Sequence, residues 1–348
     1  MAVSTGIRSG LSAYLGMKQE SAYGTFISPD HFYEFLDESI AFTIDRNESK
    51  SLRASGPTTA NSVASPNRVL RADRYFPGKK KAAGQVNLDV PTKGMGLIFA
   101  NTFGASSITT PSGATNTRQH TYTLADTYGK SLSLEIGRPD NQGNVYPFQY
   151  SGMKVSALQL QSQMDQTLQA QVTFTGQNET IASSNSVPYY PTTSTNAAYE
   201  LMYWTQGVIS VGGTTLGNVT NFQFTYTLGL KDDRYFLGGA TMAEPILHDF
   251  TMGEGSITVE WNSTTAYQRF LNNTTAQIEA KWTSATAIEG SFYSYVDLVL
   301  PSCRFDGSTP AVKGPEVISH DLKFKMLQPT TDATSPLTLI YQTSDTAD

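Results

Sequence analysis

The chain has 348 residues, 39% hydrophobic and 16% charged, with a formal net charge of −6 at pH 7, 18 Tyr, 17 Phe and one Cys. That length suits two compact domains, no run reaches the roughly 18 apolar residues of a spanning helix, and residues 1–8 lack the apolar core of a secretory signal. Cys303 has no partner for an internal disulfide, no Cys/His spacing suits structural zinc, and the acidic balance argues against a protein that grips nucleic acid through its phosphates. Scarce charge with abundant Ser, Thr, Tyr and Phe points to a mainly β protein, part of whose surface is covered by copies of itself.

In chain order, the first strand signal is residues 39–44, where Ile40, Phe42 and Ile44 alternate with Ala41 and Thr43. Residues 47–67 are almost all small or polar and predict a long loop. A basic stretch follows, Arg68, Arg71, Arg74, Lys79, Lys80 and Lys81. It reads either as a solvated flank or as a surface that docks on an acidic patch of another copy. Val86, Leu88 and Val90 alternate in a second strand over 85–90, and Met95, Ile98, Phe99 and Phe103 predict one short helix over 92–103, closed by Gly104. Three more strands are expected over 131–136, 155–161 and 168–175. Residues 181–200, with Pro188 and Pro191 among Ser, Thr and Asn, read as a linker.

After the linker the pattern restarts. Phe222, Phe224 and Tyr226 echo Ile40, Phe42 and Ile44, and the tetrapeptide at Asp73-Arg74-Tyr75-Phe76 recurs at Asp233-Arg234-Tyr235-Phe236. Gly84-Gln85-Val86-Asn87-Leu88 matches Gly255-Ser256-Ile257-Thr258-Val259 in a frame that also relates Phe99 to Phe270 and Asn101 to Asn272. Later, Leu158-Gln159-Leu160 parallels Leu298-Val299-Leu300, and Val172 and Phe174 parallel Leu322 and Phe324. These matches predict an internal duplication: a first β unit over 1–180, a linker over 181–200 and a second β unit over 201–348, each a β-sandwich or barrel with one short helix.

Candidate chemistry is sparse. His31, His120, His248 and His320 stand alone, without the pairing that places two imidazoles on one metal. Gly94-Met95-Gly96 and Gly253-Glu254-Gly255 lack the third glycine of a dinucleotide loop and read as turns. No nucleophile elbow or phosphate loop is present, and Cys303 reads as a structural thiol. Glu34, Asp37 and Glu38 form an acidic cluster that suits solvation or pairing across an interface better than acid–base catalysis. The expectation is a protein without catalytic residues, cofactor or metal.

The duplicated β unit with its short helix resembles the tail tube proteins of long-tailed bacteriophages. The resemblance is carried by Glu20-Ser21-Ala22-Tyr23-Gly24-Thr25, the strand over 38–44, the small-residue loop, and the Gly84 strand running into the helix. It implies a structural virion protein, made in the host cytoplasm, whose rings stack into a tube with strands of neighbouring subunits closing a β-barrel around a DNA channel. It also implies tape measure, tail terminator and distal tail proteins as partners, with double-stranded DNA passing unbound and no membrane. Two units per chain fit a six-fold ring built from three chains. On this reading Arg68, Arg71, Arg74, Lys79, Lys80, Lys81, Glu34, Asp37 and Glu38 are candidates for contacts between subunits or rings, and Asn87, Asp89, Thr258 and Glu260 for the channel lining. A carbohydrate-binding or adhesin β-sandwich, with Tyr203, Trp204 and Trp261 as a stacking platform, is the alternative, as is a connector or decoration protein.

Overall fold

The structure is a computed structural model and describes residues 9–51, 73–186, 188, 193–194, 197–262, 264–307, 309–312, 314–331 and 334–348. Its elements are mainly strands: β1 (Tyr14–Gln19), β2 (His31–Tyr33), β3 (Asp37–Glu38), β4 (Ala41–Glu48), β5 (Tyr75–Asp89), helix α1 (Gly96–Phe103), β6 (Gly104–Thr109), β7 (Arg118–Leu124), β8 (Leu132–Pro139), β9 (Val145–Gln163), β10 (Leu168–Gly176) and β11 (Asn178–Ile181). One short pair, β12 (Thr193–Ser194) with β13 (Ala197–Ala198), precedes β14 (Gly207–Val211), β15 (Thr214–Leu216), β16 (Val219–Thr227), β17 (Leu230–Lys231), β18 (Ile246–Leu247) and β19 (Met252–Glu260). Helix α2 (Thr265–Leu271), β20 (Ala276–Glu289), β21 (Phe292–Asp306), β22 (Ser319–Met326) and β23 (Thr338–Thr343) complete the chain.

One order of neighbours occurs twice. In the first half β2 pairs with β1, β1 with β8, β8 with β9, β9 with β10, β10 with β5, and β5 with β3 and β4. In the second half β15 pairs with β14, β14 with β20, β20 with β21, β21 with β22, β22 with β19, and β19 with β16. A helix follows the same strand in each, α1 after β5 and α2 after β19. The halves join where β16 pairs with residues 157–163 of β9, so that β3/β4, β5, β10, β9, β16, β19, β22 and β21 form one run of eight antiparallel neighbours. Among the described residues β4 pairs with β5 alone and no ladder returns from it to β21, so within one chain the sheet is open, not a closed barrel.

Alternation decides which face of that run is core. Val86, Leu88, Ala170, Val172, Leu158, Leu160, Phe222, Phe224, Ile257 and Leu322 are all buried, and the residues between them face the other way. Close approach explains two glycines at matched positions: a Cβ on Gly84 would lie 2.3 Å from Ser39 O, and one on Gly255 would lie 2.3 Å from Gln223 O and 2.4 Å from the Phe324 ring. The two helices are packed unequally. Every residue of α1 is buried, with Phe99 edge-on to Tyr122 of β7 and Tyr341 of β23, whereas Leu271 of α2 is 59% exposed. The β6–β7 hairpin that covers α1 has no equivalent between α2 and β20.

Several expected boundaries move. The strand expected from Gln85 begins at Tyr75, because Tyr75, Phe76, Pro77, Lys80 and Lys81 are paired with β4, and Gly253-Glu254-Gly255 lies inside β19 and is no turn. Asn47 ends the long loop's claim early by belonging to β4, and residues 52–67, with Arg68 and Arg71, lie outside the described residues. The last strand, β23, crosses back to pair with β7 of the first half.

Candidate functional site

The face of the eight-strand run opposite the core is polar. Strand register lines its side chains in rows. One row runs Asp37, Asn87, Gln171, Gln159, Thr225, Glu254, Lys325 and Arg304, and the next Asp89, Gln169, Gln161, Gln223, Ser256, Lys323 and Asp306. Amide and hydroxyl side chains link neighbours along these rows. Asn87 Nδ2 donates to Asp37 Oδ1 at 2.6 Å, Gln171 Nε2 to Asn87 Oδ1 at 2.9 Å, and Thr167 Oγ1 to Asp89 Oδ1 at 2.5 Å. Toward the other end Thr258 Oγ1 donates to Asp321 Oδ1 at 2.8 Å, and Lys325 Nζ meets Glu254 Oε1 at 2.8 Å. The first-half strands carry mostly uncharged amides, and the carboxylates Asp37, Asp89, Glu254, Glu260, Asp306 and Asp321 are interspersed with Lys81, Arg304, Lys323 and Lys325. Such a face is hydrated and offers a polyanion no continuous basic track.

Asn87, Asp89, Thr258 and Glu260 all fall on this face. Their alternation with Val86, Leu88, Ile257 and Val259 was the sequence signal for it; that the strands of both halves join into one surface was not legible, because strand pairing is non-local.

The acidic and basic clusters are placed differently from one another. Glu38 binds Arg138 through two contacts of 3.0 Å, and Arg138 also donates to Ile40 O at 2.7 Å and to the Tyr150 hydroxyl at 2.7 Å. Burial works against the Arg138 charge, yet its bonds to Glu38 and Tyr150 hold its pKa above the ordinary value. The Ile40 N–H donates to Glu38 Oε2 at 2.8 Å, so both outward backbone groups of Ile40 are occupied by side chains. Glu34 lies beside them near the β2–β3 turn. Lys79, Lys80 and Lys81 meet the second half of the same chain: Lys81 Nζ lies 2.5 Å from Asp232, Lys79 Nζ sits 4.9 Å above the Tyr235 ring, and Lys80 N–H donates to Ala240 O. Arg74 lies 4.0 Å from Asp73 on an exposed arm that also shows Tyr75 and Phe76.

The remaining candidates are structural. Cys303 is buried, and burial pushes its thiol up to about 12. His120 is buried between Asp348 Oδ1 and Asp345 O, each at 2.9 Å. Burial alone would lower its pKa, but Asp348 and Asp345 raise it above the ordinary imidazole value. Trp261 packs edge-on against His320 and Tyr267, while Tyr203 and Trp204 belong to a separate turn at 203–206, tied to Gln166. The proposed stacking platform is therefore divided between two places. Among the described residues no group of three or more His, Cys, Asp or Glu is arranged to hold a metal.

Comparison with known proteins adds one finding. A family model described as phage tail tube protein matches residues 10–326. No curated protein matches the chain.

Proposed function

We propose a use for each part of this geometry on the premise that the chain, matched over most of its length, belongs to the phage tail tube protein family. It is a structural protein of the virion that forms the tail tube, and it is not an enzyme. On our reading the two halves with the same order of neighbours are copies of one tail tube unit, and three chains, each contributing two units, form a pseudo-hexameric ring. The eight-strand run then supplies one third of a barrel that closes only between chains, and its polar face, with Asn87, Asp89, Thr258 and Glu260, lines the channel. The observation that supports this reading is the in-chain junction of β16 with β9, which joins strands of both halves in one sheet. A closed barrel removes the exposed edge at β4, which a long open sheet otherwise presents to any passing strand.

Stacking of rings places the exposed arm around Tyr75 and Phe76 among the contacts to the next ring. Host cytoplasm is the assembly site, and the tape measure, terminator and distal tail proteins are the partners that fix tube length and ends. Electron microscopy of the purified chain at rising concentration tests the reading: it expects rings and tubes, and a chain that stays monomeric at all concentrations would refute it.

A further inference from the structure

We infer that the turn before β1 is a docking element: residues 9–12 of one copy seat at the ends of β19 and β22 of a second copy, as residues 201–206 seat at the ends of β5 and β10 within the chain. The inference rests on the tube reading above and adds to it a contact made by neither edge of the eight-strand run.

One turn is built twice. Ser12 N–H donates to Ser9 O at 2.9 Å and Ala13 N–H to Gly10 O at 3.0 Å; Gln206 N–H donates to Tyr203 O at 3.0 Å and Gly207 N–H to Trp204 O. Ser9 and Tyr203 enter in extended conformation, and Ala13 and Gly207 leave in it, toward β1 and β14. These two strands hold the same place in the two orders of neighbours, and Leu15 and Met17 are buried as Ile209 and Val211 are. The turn is kept although Ser9-Gly10-Leu11-Ser12 and Tyr203-Trp204-Thr205-Gln206 share no residue.

The second of these turns is anchored on the first half. Met202 N–H donates to Val90 O at 2.9 Å, Leu168 N–H to Met202 O at 2.8 Å and Trp204 N–H to Gln166 O at 3.0 Å, with Tyr203 bridged to Thr167. Val90, Leu168 and Met202 are completely buried there. The first turn has no such anchor among the described residues: a Cβ on Gly10 would meet nothing within 4 Å, and Leu11 is 98% exposed.

The matching seat exists in the second half and is open. Asp89 faces Gln169 as Glu260 faces Ser319, and the next bonds also correspond, Val90 N–H to Leu168 O and Trp261 N–H to Ile318 O, both at 2.8 Å. Beyond them the halves differ. Met202 takes up Val90 C=O and Leu168 N–H, whereas among the described residues Ile318 N–H and Trp261 C=O bond neither each other nor another backbone group. Ile318 is half-buried where Leu168 is buried, Val317 is exposed, and a groove of about 570 Å³ opens along Glu316, Val317 and Ile318. Within the chain the seat of one unit is filled by the turn that opens the next unit. After the second unit the next is the first unit of another copy, so each chain brings one unanchored turn and one open seat, the complementary pair that a head-to-tail contact needs.

The in-chain bonds set the partners. Trp204 N–H to Gln166 O and Leu168 N–H to Met202 O flank Thr167 and Tyr203, which makes them a non-bonding antiparallel pair. Transferred, Ser9 stands opposite Val317 and Gly10 N–H donates to Glu316 C=O. The residues that match Leu201 and Met202 precede Ser9, outside the described residues, and the contact is tested without them.

The test is a full-length double variant, Ser9→Cys with Val317→Cys, assembled and then oxidised. Cα atoms of a non-bonding pair approach to about 4.5 Å, within disulfide range, and buried Cys303 stays out of the exchange. Reducible dimers and closed trimers on a non-reducing gel are expected. Tubes visible by microscopy without that link would overturn the contact and leave the tube reading standing, whereas a wild-type chain that never forms rings overturns both. A second variant, Gly10→Pro, removes the N–H and spares the fold: Ser9, at φ −119° and ψ −179°, already has the extended form required before proline, and the first position of a helical turn accepts it. Melting of the free chain is expected to stay unchanged while the concentration for half-assembly rises about fivefold, the worth of one hydrogen bond. Assembly at the wild-type concentration would overturn the bond from Gly10 to Glu316.

Discussion

Lys154 sits on β9 of the first half and reaches Glu244 of the second, and removing it tests how firmly the halves are held. Its Nζ lies 2.6 Å from Glu244 Oε1 and donates to Thr127 O at 2.7 Å, while Gly129 N–H donates to the same Glu244 oxygen at 2.7 Å. The side chains are 1% and 11% exposed, so Lys154→Met strands a carboxylate that keeps one backbone donor and little water. Breaking a buried pair from one side costs about 3–5 kcal/mol, and the retained Gly129 bond puts this case near ~3 kcal/mol. The double variant Lys154→Met with Glu244→Gln removes the stranded charge and is expected to recover ~2 kcal/mol of that loss through coupling of the two positions. Urea unfolding of the unassembled chain reads it as a midpoint shift of ~1 M for a slope of ~3 kcal/mol/M. A single-variant loss under ~1 kcal/mol, or two losses that simply add, would refute the claim that this pair ties the halves together.

Replacing Asp89 and Glu260 together by Lys is expected to leave tubes intact and impair DNA delivery, because a basic lining retains phosphates; virions that infect normally would remove these residues from the channel wall. Gly84→Ala and Gly255→Ala, each placing a Cβ 2.3 Å from a carbonyl oxygen, are expected to cost ~2 kcal/mol or more apiece in thermal unfolding. His120 has a raised folded pKa, so its contribution is complete below its unfolded value and is lost as pH rises through the folded one. Burial opposes the Asp348 charge, but bonds from His120, Ser106 and Tyr122 keep its pKa depressed, so its share is present above the unfolded value and fades as pH falls through the folded one. Melting temperature should therefore fall at both ends of the pH range, and His120→Asn should remove the His120 share of the alkaline fall and also weaken the acid one, since it deletes a bond that depresses the Asp348 pKa. Cys303 should resist thiol reagents in the native chain and react only on unfolding.

Strands whose alternation is local and apolar were legible in the sequence: residues 39–44, 131–136 and 168–175 lie in or against β4, β8 and β10. Helix α1 was legible from the spacing of Met95, Ile98, Phe99 and Phe103. The β6–β7 hairpin was not, because its strands are Ser- and Thr-rich and bury little beyond His120 and Tyr122. Neither was the extent of β5, since Lys79, Lys80 and Lys81 read as solvated charge until β4 and Asp232 are brought alongside. That Asn87, Asp89, Thr258 and Glu260 lie on the face opposite the core followed from period-2 alternation, but the Glu38–Arg138 contact spans 100 residues and no spacing rule reaches that far. The frame linking Gly84 to Gly255 was the most informative long-range signal, and it marks matched close approaches of two backbones.

Cryo-electron microscopy of tubes assembled from the purified chain, with the chains per ring counted from density, tests the central claim most directly. The account predicts rings of three chains with pseudo-six-fold symmetry, the eight-strand runs joined end to end and their Asn87- and Thr258-bearing face toward the channel. Rings of six chains, or a channel lined by the opposite face, would contradict it.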